Sequence, residues 1–200
     1  MKKIILASRS KRRAAILKSC NISHIVAPGK TREMRKGTKK PAAIVMLNAK
    51  RKAESVAIKR RKGIIIGADT MVFFNGKLLG KPHTKGEAKK MLAAFSGNRI
   101  MVYSGLHVID LDNHKKASGF ATTALSIKKI PQRDIDKYFT FLGPYDKAGG
   151  FSIEGIGSIV FDDIKGSYFN VLGLPMAKLQ GLFRKIGLDL LDFTKKEKTG

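Results

Sequence analysis

Three consecutive isoleucines, Ile64-Ile65-Ile66, stand between Gly63 and Gly67-Ala68. A short, continuous, β-branched run of this kind reads as a buried strand. Asp69-Thr70 lies at its end, and Met71-Val72-Phe73-Phe74 continues extended. Asn75-Gly76 then predicts a hairpin turn, with Leu78-Leu79 on the returning strand. A carboxylate at the end of a buried strand is well held and partly desolvated. That suits a metal ligand or a general base, and an Asp capping a turn is an equally good plain reading.

Ile4-Ile5-Leu6-Ala7 reads as a second buried strand. Ser8 or Ser10 can cap a helix running from about residue 10 to 19. The junction Ser8-Arg9-Ser10-Lys11-Arg12-Arg13 therefore joins helix amides, hydroxyls and guanidinium forks. These make a phosphate cradle, with a solvated basic helix start as the alternative. Residues 28–40 form a polar loop, and Pro41 suits a helix start. A helix from 42 to about 59 turns Ile44, Leu47, Ala53 and Val56 inward and Lys50, Arg51 and Lys59 outward. Thr84-Lys85-Gly86-Glu87 is a capping box for a helix through about Phe95. Residues 100–111 and 117–127 read as paired strands around Asp112-Asn113. A short helix follows over 132–141, then a glycine-rich loop with a short strand over 143–157. Ile159-Val160-Phe161 reads as a strand, Leu174-Pro175 opens a helix to about 186, and residues 194–200 form a basic, disordered tail.

The 200 residues are 43% apolar, enough for a real core, so the basic balance is not that of a disordered tail. Lys and Arg number 40 against 15 Asp and Glu, a formal net charge of +25. Residues 1–68 hold 20 of the cations and only two acids, Glu33 and Glu54. Such a surplus implies an anionic partner: nucleic acid, a membrane surface or a phosphorylated small molecule. Trp is absent and the cations are not interleaved with exposed aromatics, so base-stacking on single strands is poorly supported. Cys20, the single cysteine, excludes a disulfide framework and suits core packing. His24, His83, His107 and His114 show no metal-ligand spacing. The apolar run after Met1-Lys2-Lys3 is too short for a leader, and no run is long enough to span a membrane, so the expected setting is the cytoplasm.

A third feature is Asp146-Lys147-Ala148-Gly149-Gly150-Phe151-Ser152-Ile153-Glu154-Gly155, where glycines let backbone approach a ligand between flanking charges. Taken with the two above, it supplies oxygen ligands, Lys and Arg without His or Cys. That combination favours magnesium or manganese and a polyphosphate.

At this point the chain resembles the Maf family of nucleoside triphosphate pyrophosphatases, within the inosine triphosphatase-like superfamily. The resemblance covers residues 4 to 182. It rests on Leu6 through Arg13, Ile66 through Val72, Gly80-Lys81-Pro82, Asp146 through Gly149 and Gly166 through Pro175. It implies an α/β fold: an elongated, twisted mixed sheet flanked by helices, with two lobes around a nucleotide cleft, in one domain over residues 1–193. It implies hydrolysis of a nucleoside triphosphate to the monophosphate and pyrophosphate with Mg2+ or Mn2+, in a house-cleaning role. Ser8, Arg12, Arg13, Lys52, Lys81 and Lys147 would meet the triphosphate. Asp69 would be the principal catalytic carboxylate, as base or metal ligand, with Glu33 and Lys81 beside it. Glu154 would complete the acidic, metal-holding side. Family members are often homodimers.

Lys11 replaces the usual proline of the first motif, and Arg32 stands where an acid often precedes Glu33. Glu154 matches the branch acting on 7-methyl-GTP, whereas the dTTP/UTP branch usually has Gln there. The segments around Lys147 and 167–170 match the dTTP/UTP branch, toward which the reading leans. The alternatives are 7-methyl-GTP hydrolysis or a non-catalytic nucleic-acid-binding or cell-division role.

Overall fold

The computed structural model describes residues 2–29, 31–34, 40–141, 145 and 147–195. The expected signature residue Asp146 and the end of the expected tail, 196–200, lie outside them. Seven strands form one open mixed sheet in the order β2-β1-β3-β5-β6-β7, with β4 paired to β3. Strands β1 (Ile4–Ala7), β2 (His24–Val26) and β3 (Ile64–Phe74) run parallel. Strands β4 (Lys77–Leu79), β5 (Arg99–Asp110), β6 (Lys115–Ile127) and β7 (Phe161–Gly166) add antiparallel pairs. The long strands β3, β5 and β6 elongate the sheet. The α/β architecture expected from the resemblance is therefore present.

The triple isoleucine alternates between two helical layers, as a strand's side chains must. Ile64, Ile66 and Ala68 enter the main core with helices α1 (Lys11–Ser19) and α6 (Met176–Lys185). Ile65 faces the other way, onto Ala53 and Val56 of helix α2 (Pro41–Ala57). Gly67 and Gly105 share that second face, and they decide how close α2 can lie. A Cβ on Gly67 would come within 2.2 Å of the Ala49 carbonyl oxygen, and one on Gly105 within 2.3 Å of Val45 backbone. The helix thus rests its backbone on the sheet, which is why Val45, Asn48 and Ala49 are buried along with Ile44, Ala53 and Val56. Leu47, expected inward, is only partly buried.

Several local expectations are met. Asn75 and Gly76 take positive φ in the β3–β4 turn. Thr84 caps helix α3 (Lys85–Phe95) by accepting from the Glu87 amide. The return bond of the capping box differs: Glu87 accepts from the His83 amide, one residue before the cap. Residues 132–141 form a 3-10 turn leading into helix α4 (Ile135–Phe141).

The segment after it departs from expectation. The described residues of 143–157 contain no strand; they form 3-10 turns at Ala148–Gly150 and Gly155–Val160. Ile159 and Val160 belong to the second turn, where Val160 packs with Leu92, Ile130 and Ile135. The strand begins only at Phe161, and its charged residues pair with the β6 edge through backbone. A short helix α5 (Tyr168–Leu172), capped by Ser167, precedes α6. Thr194, placed in the tail by sequence, forms an isolated bridge with Ile22. No helix among the described residues is long and apolar enough to cross a membrane.

Candidate active site

A cleft of about 1180 Å³ opens at the end of β1 and the middle of β3. The β1–α1 junction, Pro28, Gly29, Thr31 to Glu33, Lys52, Gly80-Lys81, Lys147-Ala148 and Glu154 line it. Ser8, Arg12, Arg13, Glu33, Lys52, Asp69, Lys81, Lys147 and Glu154 all border it. Tertiary structure thus brings the nine residues singled out in the sequence to one cavity.

The centre is Asp69. It follows Ile65 and Gly67 on the α2 face of β3, so its carboxylate meets that helix. Its Oδ1 accepts from Lys52 Nζ at 2.6 Å, and its Oδ2 from Asn48 Nδ2 at 2.8 Å. Lys52 Nζ also lies 2.8 Å from Glu33 Oε1. Asp69 and Lys52 are mostly buried (side chains 7% and 13% exposed), while Glu33 reaches the cleft at 40%. Two carboxylates therefore converge on one ammonium. Asn48 was not legible as a site residue; its one signal is a polar side chain four residues before Lys52, on the same helical face.

Arg12 and Arg13, adjacent in sequence, diverge. Arg12 points into the cleft and lies 3.3 Å from Glu154 Oε2, which also accepts from Ser152 Oγ. Arg13 is buried. Its Nε donates to the Gly173 carbonyl at 2.8 Å, its Nη1 to Ser8 Oγ and the Ala68 carbonyl at 3.0 Å each, and its Nη2 to Thr70 Oγ1 at 2.9 Å. Burial lowers its pKa from the ordinary guanidinium value, and Asp69 opposes that shift. A signal existed: Ile16 and Leu17, three and four residues on, are buried, so Arg13 shares the inward face of α1. The strut ties β1, β3 and the turn after α5 together. Thr70 extends it to Ser104 Oγ at 2.8 Å, and Ser104 donates to the Asn170 carbonyl.

At the β1–α1 junction, Ser10 caps α1 by accepting from the Arg13 amide. Ser8 Oγ accepts from the Ser10 amide at 3.2 Å and from Arg13. Gly149 donates its amide to the Gly80 carbonyl at 3.1 Å, which fixes the Lys147 segment beside Lys81.

The donor set fits one divalent cation held with a polyphosphate. Mg2+ usually takes one or two carboxylates and completes its shell with water and phosphate oxygens. Glu33 and Asp69 already share one cation, the Lys52 ammonium. Among the described residues no three His, Cys, Asp or Glu side chains group together. Glu154, the third metal ligand that the resemblance implies, lies 3.3 Å from Arg12.

Comparison with known proteins identifies the family. A family model described as Maf-like protein matches residues 3–186. The chain is 38% identical over 193 residues to a dTTP/UTP pyrophosphatase of Methanosarcina barkeri, covering 96% of this chain and 98% of that one. It is 35% identical to one of Methanococcoides burtonii, over 96% of this chain and 99% of the relative. A third, from Desulforamulus reducens, is 37% identical over 96% of this chain and the whole relative. With its motifs in one cleft and its length matched nearly end to end, the chain belongs to the Maf-like protein family.

Proposed function

We propose that the chain hydrolyses nucleoside triphosphates of the dTTP/UTP type to the monophosphate and pyrophosphate, in nucleotide house-cleaning. The observation that carries this reading is the Glu33–Lys52–Asp69 constellation and a capped, basic helix start bordering the same cleft. The relatives, named dTTP/UTP pyrophosphatases, suggest the substrate class.

Phosphoanhydride hydrolysis needs cations to absorb phosphate charge and a carboxylate to place water in line. The α1 amides, Arg12, Lys81 and Lys147 would hold the phosphates. Arg13 would act from behind, keeping Ser8 and the end of β1 in place. Asp69 would orient a water molecule toward the α-phosphorus and take its proton. The water oxygen forms the new bond to that phosphorus, the α–β anhydride bond breaks, and pyrophosphate leaves. Glu33 and Asp69 would hold Mg2+ or Mn2+, which supplies Lewis-acid neutralisation of phosphate charge. Glu154, paired with Arg12, would touch substrate.

The test is a panel of dTTP, UTP, 7-methyl-GTP and modified pyrimidine nucleotides with Mg2+ or Mn2+, read by pyrophosphate release. Turnover led by dTTP or UTP is expected. Asp69→Asn should lower kcat by about 10²-fold or more, the scale of a lost acid–base group. A folded chain that turns over none of these nucleotides overturns the reading.

A further inference from the structure

Asn48 lies one helical turn before Lys52, and its side chain is 2% exposed. A buried amide must be hydrogen-bonded, and here each atom's partner is fixed. Oδ1 accepts from the Met34 amide at 2.8 Å, and Nδ2 donates to the Met34 carbonyl at 2.9 Å. The second Nδ2 hydrogen goes to Asp69 Oδ2 at 2.8 Å. Flipping the amide would set donor against donor at the Met34 nitrogen and acceptor against acceptor at Asp69, so the orientation is dictated.

One neutral side chain therefore clasps the backbone next to Glu33 and one oxygen of Asp69. The other Asp69 oxygen and Glu33 share the Lys52 ammonium. These two supports differ in kind. Lys52 is itself a cation between two carboxylates, so a divalent cation entering there competes with it by like-charge repulsion. Asn48 carries no charge, and its three hydrogen bonds survive that exchange.

We propose that Asn48 is the positioning residue that locks Asp69 and the Glu33 segment into one unit, so that Lys52 and a divalent cation can exchange between pre-placed carboxylates. This rests on the metal assignment under "Proposed function", but its test requires no turnover. Asn48→Leu keeps approximate volume and removes all three bonds; Asn48→Ser removes them with less bulk should Leu not fit. Each variant is first confirmed folded by circular dichroism. Two readouts follow on nucleotide-free chain: hydrogen exchange at the Met34 amide, and Mn2+ binding by calorimetry.

The expected result is lost protection at Met34 together with about 10- to 100-fold weaker Mn2+ binding, the usual effect of removing a partner behind a metal ligand. In an Asp69→Asn background, Asn48→Leu should weaken Mn2+ binding far less, because the two act as a unit. A purely structural role would lower the thermal midpoint and leave Mn2+ affinity alone. Mn2+ affinity within two-fold of wild type, or undiminished Met34 protection, overturns the proposal, as does wild-type chain that takes up no Mn2+ without nucleotide. Asn48-dependent Mn2+ binding in a chain that hydrolyses no nucleotide would refute the proposed activity and leave this inference standing.

Discussion

Gly67→Ala adds one methyl group two residues before Asp69 on β3, away from the cleft itself, yet it should disable the site. The glycine has ordinary extended backbone, so alanine meets no conformational penalty there. The obstacle is steric. The new Cβ would stand 2.2 Å from the Ala49 carbonyl oxygen and 2.9 Å from Ala53 Cβ. Reaching the 3.4 Å of an ordinary contact requires α2 to retreat by about 1.2 Å. That helix carries both Asn48 and Lys52, whose bonds to Asp69 are 2.8 and 2.6 Å. A retreat of that size breaks both. Misplacement by about 1 Å costs about 10²-fold in rate, and overpacking costs about 1–3 kcal/mol. For a chain this long, the thermal midpoint should fall by roughly 2–12 °C. The assays are pyrophosphate release with UTP and Mg2+, and thermal unfolding followed by circular dichroism. The control is Gly181→Ala on α6, where a Cβ meets nothing within 4 Å. It should leave activity intact and raise stability by about 0.5–1 kcal/mol. Gly67→Ala with wild-type kcat and an unchanged midpoint would refute the flush seating of α2 as the device that forms the site.

Arg13→Lys should lower stability by about 3 kcal/mol even without nucleotide, because an ammonium cannot replace the four bonds of the buried fork. Arg12→Lys should instead raise KM with little change in thermal midpoint; equal midpoints for the two variants would contradict the division of roles. Lys52→Met leaves Glu33 and Asp69 facing each other without their shared ammonium. Its midpoint should drop without metal and recover substantially in millimolar Mg2+, measured by thermal shift, and absence of recovery argues against a cation site between the acids. His107 gives a pH signature: burial above all holds its pKa below the ordinary 6.5, Lys50 and Lys116 reinforcing this and Glu54 opposing it. Its Nδ1 meets Ser118 at 2.6 Å, while Nε2 has no partner among the described residues. Well above pH 6.5 the imidazole is neutral in both states and contributes nothing. As pH falls below 6.5 the unfolded chain takes up the proton first, so stability declines until the folded imidazole also titrates. Chemical denaturation between pH 7 and 5 should show this slope, and His107→Gln should lose it.

Much of this protein was legible locally. A short, β-branched apolar run bounded by glycines favours a buried strand, so Ile64-Ile65-Ile66 placed β3. Cap chemistry placed the starts of α1 and α3, because the first-turn amides need nearby side-chain acceptors. The candidate acids also stood out, since Glu33 is one of only two acids among the first 68 residues. Other features had little or no local signal. Strand β7 is Phe-Asp-Asp-Ile-Lys-Gly, and it is a strand because the β6 edge offers unpaired backbone groups, not because of its side chains. Arg12 and Arg13 are identical residues side by side, and only the packing of α1 sends one to solvent and the other into the interior. Asn48, 14 residues from Met34 and 21 from Asp69, acquires its role only when α2 settles on Gly67 and Gly105. Sequence by itself determined which elements form and which charged groups the chain carries, because caps, turns and apolar runs act over a few residues. Tertiary structure alone decided which groups meet, because hydrogen bonds of 2.6 to 2.8 Å between α2 and β3 depend on how closely a helix can approach a sheet.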